Sequence, residues 1–475
     1  MDFNEEISMK NARKLIAVAL AGLCFWPLSG CGGNGAADSN GQATKLNYPS
    51  IKLGTTGKDI HTKIKLFNHK TDMSVDTYPG KNWKQYVADF NKLYPGISIE
   101  IETDTNYAGD ALTRLQGKDW GDMMMIPAVD RSDLSTYFLP FGTKEEMSKV
   151  IRWSNASEYG GKVYGVPSNG NGLGIVYNKR IFKEAGINEN PKTPQEFIQA
   201  LKAIKEKTKA IPLYTNYAAG WTMAAWDGYI GVNATGDGRY MNQKLLHTKN
   251  PFSDPGDDTH AYNVYKILYD AVSDGLTEDD YSTTDWESSK ARINRGEIAT
   301  MVLGAWAVSQ CKNAADHPDD IGYMPFPISV KNKQYTVSAG DYAYGINSHV
   351  SKTRQEASMI FIKWMTERSG FAKNEGGIPT AQSDKSMPDA YKEFADVHFV
   401  EDQPSVKGEE DLFNTLNSDS ELAVNSGGNA RIQAIVEHAS KHDKPYNDLV
   451  KDWNSKWNDA LKTEGIEAQY DTASK

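Results

Sequence analysis

The sequence predicts an α/β chain of two or three domains. The prediction rests on its length, a strand–helix–strand order between residues 63 and 101, and a second alternation of elements over residues 160–213. A chain of 475 residues exceeds what one hydrophobic core holds. Ile64 and Leu66 alternate with lysines, as a half-buried strand does. Trp83, Tyr86, Val87, Phe90 and Leu93 follow at helical spacing, and Tyr94-Pro95-Gly96 ends them. Ile97, Ile99 and Ile101 then alternate again, so the three elements read as a parallel βαβ unit. Residues 122–126 add a short buried strand.

In the second alternation, Val163 to Val166 reads as a strand ended by Pro167, and residues 174–177 as another. Ile181, Phe182 and Ala185 fit a short helix with Gly186 just past its end. Thr193-Pro194-Gln195-Glu196 is a capping box with Pro at the first helical position, ahead of the stripe Phe197, Leu201 and Ile204. Residues 211–213 and 296–303 are apolar strands. Thr353 and Glu356 read as another capping box before Ala357, Ile360, Phe361, Trp364 and Met365. Residues 401–421 read as an acidic loop. Leu449, Val450, Trp453, Trp457 and Leu461 make a last amphipathic helix.

Lys10, Arg13 and Lys14 precede an apolar run, Leu15 to Trp26, that meets Leu28-Ser29-Gly30-Cys31. This is the layout of a secretory signal peptide over residues 1–30, with a core too short to span a bilayer. Met9 is its expected start. The Leu-Ser-Gly-Cys end resembles the lipobox of bacterial lipoproteins, which implies a lipid on Cys31 and an anchor to the membrane outside the cytoplasm. The small polar residues after it bury nothing, so residues 31–59 are expected to be a flexible tether. A net charge of −10 argues against nucleic acid as partner. Of three cysteines, Cys24 leaves with the signal, Cys31 takes the lipid and Cys311 stands alone, so no disulfide framework is possible. Neither metal nor cofactor is expected. The run Asn169-Gly170-Asn171-Gly172-Leu173-Gly174 lacks dinucleotide-loop spacing, and Ala439 stands where a zinc protease with His438 and His442 would need glutamate.

Four blocks carry a resemblance to a known family. They are residues 90–97; residues 161–167 continuing through Tyr177-Asn178-Lys179, 182–186 and 191–197; Gly296 to Met301 with Gly304-Ala305-Trp306; and Gly345-Ile346-Asn347 with the helix after it. Together they resemble the family 1 extracellular solute-binding proteins, the sugar-binding lipoproteins of ABC importers similar to maltose-binding protein. The resemblance implies two α/β lobes joined by a hinge around an interlobe cleft. Lobe one would take residues 60–168 and 327–373, and lobe two residues 169–326 and 374–475. It also implies a monomer without catalytic residues that captures a carbohydrate, an oligosaccharide, and delivers it to an ABC permease. A non-sugar solute on the same fold and a lipid-anchored carbohydrate-active enzyme are the alternatives.

A sugar offers hydroxyls and flat C–H faces, so its site needs aromatic plates beside amides and carboxylates at strand ends. Trp306 follows an apolar strand at a position where the family often carries a stacking aromatic. Trp221 and Trp226 lie after another strand and fit no helical stripe, and Trp286 is a further candidate. Asn68 ends the first strand, Asn169 lies at the expected crossing, Asp341 with Tyr342 falls near the cleft by resemblance, and Asn106 completes the set. Asp122 reads as structural. Trp83, Trp364, Trp453 and Trp457 sit on apolar helical faces and read as core.

Overall fold

The computed structural model describes residues 46–474 apart from Pro79, so the signal segment and Cys31 lie outside the described residues. Two mixed sheets organise the rest. In the first, strands run in the order Ile97–Thr103, Thr62–Asn68, Met123–Met125, Ala343–Ile346, Val166–Pro167. The first three are parallel, and Ala343–Ile346 is antiparallel to both its neighbours. In the second sheet, Gly170–Asn178 is the central strand. It pairs antiparallel with Tyr335–Gly340, Ile298–Gly304 and Ile321–Pro325, while Ile211–Leu213 lies parallel to Ile298–Gly304.

Among the described residues the chain passes between the sheets at three places. Val166–Pro167 runs on into Gly170–Asn178, Tyr335–Gly340 returns into Ala343–Ile346, and Ile378 pairs with Gly170 through two backbone bonds of 2.8 and 2.7 Å. The first two crossings are tied together by Asp341 N–H to Asn169 C=O (2.8 Å) and Ser168 N–H to Tyr342 C=O (3.0 Å). Strand direction then decides which ends face the gap. Val166–Pro167 leaves the first sheet in the direction of the parallel strands there, and Ile298–Gly304 runs the same way as Tyr335–Gly340, toward the crossing. Both sheets therefore aim the carboxyl ends of their parallel strands at each other, the arrangement in which open α/β sheets bind ligands.

Local sequence explains the flanking helices. Trp83–Leu93 supplies the crossover of the βαβ unit, with Asn82 and Gln85 forming a reciprocal cap at 3.0 and 2.9 Å. Its Phe90 meets Phe361 and Trp364 of Lys352–Glu367 edge-on, at 5.1 and 5.5 Å between centroids, in the first core. The second sheet is buried on both faces: Ile175 and Tyr177 face the larger core and Val176 the smaller one. Trp83, Trp364, Trp453 and Trp457 are all buried.

Several expectations are corrected. Residues 47–59 are packed, not tether, because Tyr48 and Ile51 insert into the first core and the Tyr48 hydroxyl bonds Thr366 Oγ1 at 2.7 Å. The second crossing falls at 340–343 rather than 327, since Tyr335–Gly340 still pairs within the second sheet. The helix before Phe361 begins at cap residue Ser351, leaving Thr353 inside it. Residues 401–421 contain the helix Leu412–Ser420, which buries Leu416.

Candidate ligand-binding cleft

Three tryptophans form one cluster at the rim of the second sheet. Trp221, Trp286 and Trp306 each open a helix: Trp221–Ala224, Trp286–Arg295 and Trp306–Asn313. Their ring centroids lie 5.5, 5.6 and 5.7 Å apart in tilted and edge-on pairs. Trp306 follows the carboxyl end of Ile298–Gly304, and its neighbour Ala305 donates its N–H to Gly172 C=O on the crossing strand at 3.4 Å. Trp221 follows Gly220, whose φ of +70° strains any side chain and where a Cβ would have to displace the Asn429 amide. Trp221 is 43% exposed, far more than a core tryptophan.

The first sheet presents a polar rim. His69 and Lys70 follow Asn68 at the end of Thr62–Asn68. The His69 ring lies tilted against Tyr342 at 4.5 Å and meets Tyr107 edge-on at 5.8 Å. Burial, with the Lys70 ammonium beside it, pushes the His69 imidazole down to about 4 against an opposing pull from Asp341. The ring is therefore neutral at pH 7, and its buried Nδ1 has no protein partner. Lys70 Nζ lies 3.2 Å from Glu375, and the Tyr78 hydroxyl donates to the same carboxylate at 3.0 Å. Burial works against the Lys70 charge, but Glu375, Asp341 and Asp72 outweigh it and hold the ammonium above its usual range. A groove of about 650 Å³ opens between Trp306–Asn313 and Phe371–Asn374, lined by Ser309, Lys312, Asn374 and Met387 among others.

The structure thus gathers Trp221 and Trp306 with Trp286 on one rim, and Asp341 and Tyr342 on the other. Asn169 is buried at the first crossing, packed against Gly377, with its Oδ1 unpaired. Asn106 is exposed ahead of Tyr107–Leu115. Two candidates are corrected. Trp226 is 2% exposed and packs edge-on against Phe326 in the larger core, so it offers no face to a ligand. Asn68 is buried and spends its polar groups locally, accepting from Lys70 N–H at 2.9 Å and donating to Glu102 C=O at 3.4 Å. Asp122 is structural, fully buried and held by Arg354 at 2.6 Å. Sequence reasoning missed His69, Lys70, Tyr78 and Glu375. It also missed Asn171, whose buried Oδ1 lacks a partner and is suited to a ligand hydroxyl.

Residues 75–370 match the family model described as bacterial extracellular solute-binding protein. The chain belongs to the bacterial extracellular solute-binding proteins. That family places it outside the cytoplasm. Among solved members, BlMnBP1 of Bifidobacterium animalis subsp. lactis, the binding protein of an ABC transporter in complex with mannobiose, is 59% identical. That match covers 88% of this chain and 99% of BlMnBP1, with a TM-score of 0.84. The manno-oligosaccharide-specific BlMnBP2 of the same organism, in complex with mannotriose, is 56% identical with the same coverage and TM-score. The multiple sugar-binding protein of Streptococcus mutans serotype c is 27% identical over 371 residues, 75% of this chain and 85% of that protein. These relatives are binding proteins, and the two-sheet architecture is that of the two-lobed solute-binding fold.

Proposed function

We propose that this solute-binding protein captures a short manno-oligosaccharide between its lobes and presents it, unaltered, to the permease of an ABC importer. The observation that carries this reading is the Trp221–Trp286–Trp306 cluster at the strand ends facing the gap. Three adjacent rings suit the C–H faces of successive sugar units. The opposite rim supports a neutral ligand, because Lys70 is already paired with Glu375 and His69 is uncharged. Both complexes named above hold mannose oligomers in close relatives, which supports a mannose oligomer as the sugar. The lipobox-like Leu28-Ser29-Gly30-Cys31 would anchor the protein to the membrane through a lipid on Cys31. The protein would act as a monomer without cofactor, metal or catalytic residues.

Isothermal titration with mannobiose and mannotriose tests the reading. The expected affinity is near micromolar, about −8 kcal/mol. Trp306→Ala should lose at least tenfold in affinity, about 1.4 kcal/mol or more, with an unchanged circular dichroism spectrum. Equal affinity in the variant removes Trp306 from the site.

A further inference from the structure

Two loops deliver Trp221 and Trp286 to the rim, and a carboxylate ties them together near the sheet they leave. The first loop runs from the end of Ile211–Leu213 to Trp221, and the second from the end of the helix His260–Ser273 to Trp286. They lie side by side. Leu213 pairs with Thr277, and its N–H donates to Leu276 C=O at 3.0 Å. Next along, Glu278 Oε2 accepts from Thr215 N–H at 3.0 Å, and Oε1 accepts from the Thr215 hydroxyl. Farther out, the Tyr217 and Tyr281 rings meet at 4.6 Å, Ala218 N–H donates to Thr284 Oγ1 at 2.8 Å, and Asp285 N–H donates to the Tyr214 hydroxyl at 2.9 Å. Beyond these ties stand the indoles of Trp221 and Trp286, edge-on at 5.5 Å.

The first loop needs holding. Asn216 and Gly220 both take left-handed φ, +57° and +70°, so the path to Trp221 turns sharply twice. Such a path persists where neighbouring groups over-determine it. Glu278 grips both the N–H and the hydroxyl of Thr215, the residue just before the first of those turns. Hydrogen bonds to a charged acceptor are the stronger kind. Burial raises the Glu278 carboxyl, against the opposing pull of the Thr215 hydrogen bonds and of Arg292. A carboxylate enclosed in this way costs free energy unless its oxygens are satisfied, and this one loop satisfies both. Trp221 itself is exposed, so core packing does not fix it. Its place depends on the backbone behind it, and a binding geometry is only as exact as the hydrogen bonds that support it.

We propose that Glu278 is a positioning residue for the sugar site: it fixes the Thr215 turn and thereby holds Trp221 edge-on to Trp286, in the arrangement that receives the ligand. The proposal rests on the sugar-binding reading above. Titration calorimetry reads the affinity, and near-ultraviolet circular dichroism reads how firmly the indoles are held. Glu278→Ala should bind mannotriose about tenfold more weakly and lose near-ultraviolet signal. Glu278→Gln keeps an oxygen for the Thr215 N–H and an amide that donates to Thr215 Oγ1, and should recover most of both. Thr215→Val keeps the shape and the backbone bond but removes the hydroxyl, and should weaken binding about threefold with a smaller spectral loss. A glutamate that only stabilised the fold would lower the melting temperature and leave the affinity and spectrum of the folded protein unchanged. That result overturns the proposal, as does weaker binding with an intact spectrum, or a Glu278→Gln protein as weak as Glu278→Ala. If Glu278→Ala does not fold, Thr215→Val decides the matter on the same two readouts. Absence of mannotriose binding in the unmodified protein would overturn the sugar reading instead, and the spectra alone would then judge the tie.

Discussion

Asp402 and His69 respond to pH in opposite senses. Burial raises the Asp402 carboxyl to about 6, whereas an unfolded aspartate titrates near 3.9. The fold therefore keeps a proton that the unfolded chain releases, and the stability this contributes is complete below about pH 4 and lost as pH rises to 6. His69, held down to about 4, refuses a proton that the unfolded chain accepts near 6.5. Its contribution is complete above that value and lost as pH falls toward 4. Asp402→Asn should thus stabilise the protein by about 1–2 kcal/mol at pH 7 and steepen its loss of stability on acidification. His69→Gln should flatten the acid side. Melting curves between pH 4 and 7 check both, and an Asp402→Asn profile parallel to the unmodified one refutes the assignment. Neither group stood out in the sequence, because what shifts them is burial by segments far along the chain. As candidates, Trp306 stands out in the sequence by its place after an apolar strand and by the family resemblance, and Trp221 because it follows a strand and fits no helical stripe. Trp226 shares that local pattern and is nevertheless core, since only the fold brings Phe326 against it.

At the scale of elements, the periodic helices were readable and their ties were not. The helix Ala430–Lys441 is fastened to the second lobe by Arg431, which bonds both Asp227 oxygens at 2.6 and 2.8 Å. Asp227 also accepts from the Tyr265 hydroxyl and from Asn425 N–H, each at 2.7 Å. The guanidinium sits among the rings of Phe252, Tyr265 and Trp453 at 5.6, 4.9 and 5.3 Å. Asp227 and Arg431 lie far apart in sequence, so no local spacing could reveal the pair. Removing one member leaves a buried charge without its counterion. Arg431→Ala should cost about 3–5 kcal/mol, whereas Asp227→Leu with Arg431→Met should recover much of that loss. Urea unfolding of the three proteins measures it, and a single variant as stable as the double one contradicts the account.

For the whole molecule, length announced more than one domain and the four blocks announced the family, but the second crossing escaped because Tyr335–Gly340 continues the second sheet past the expected boundary. That strand and its two companions make the hinge, and the hinge makes a prediction about the entire chain. The first crossing is tied to each of the other two by backbone hydrogen bonds, so the lobes should rotate about them as bodies rather than unravel. Mannotriose should then contract the protein in small-angle scattering and bury Trp221, changing its fluorescence. Ligand at a hundredfold excess over Kd should stabilise the folded state by about 2.7 kcal/mol, seen as a higher melting temperature. Trp306→Ala separates binding from architecture. It should keep the unliganded scattering profile and melting temperature, and should show neither contraction nor thermal gain at sugar concentrations that saturate the unmodified protein. Contraction in that variant at the same concentrations would mean that the aromatic rim does not drive closure.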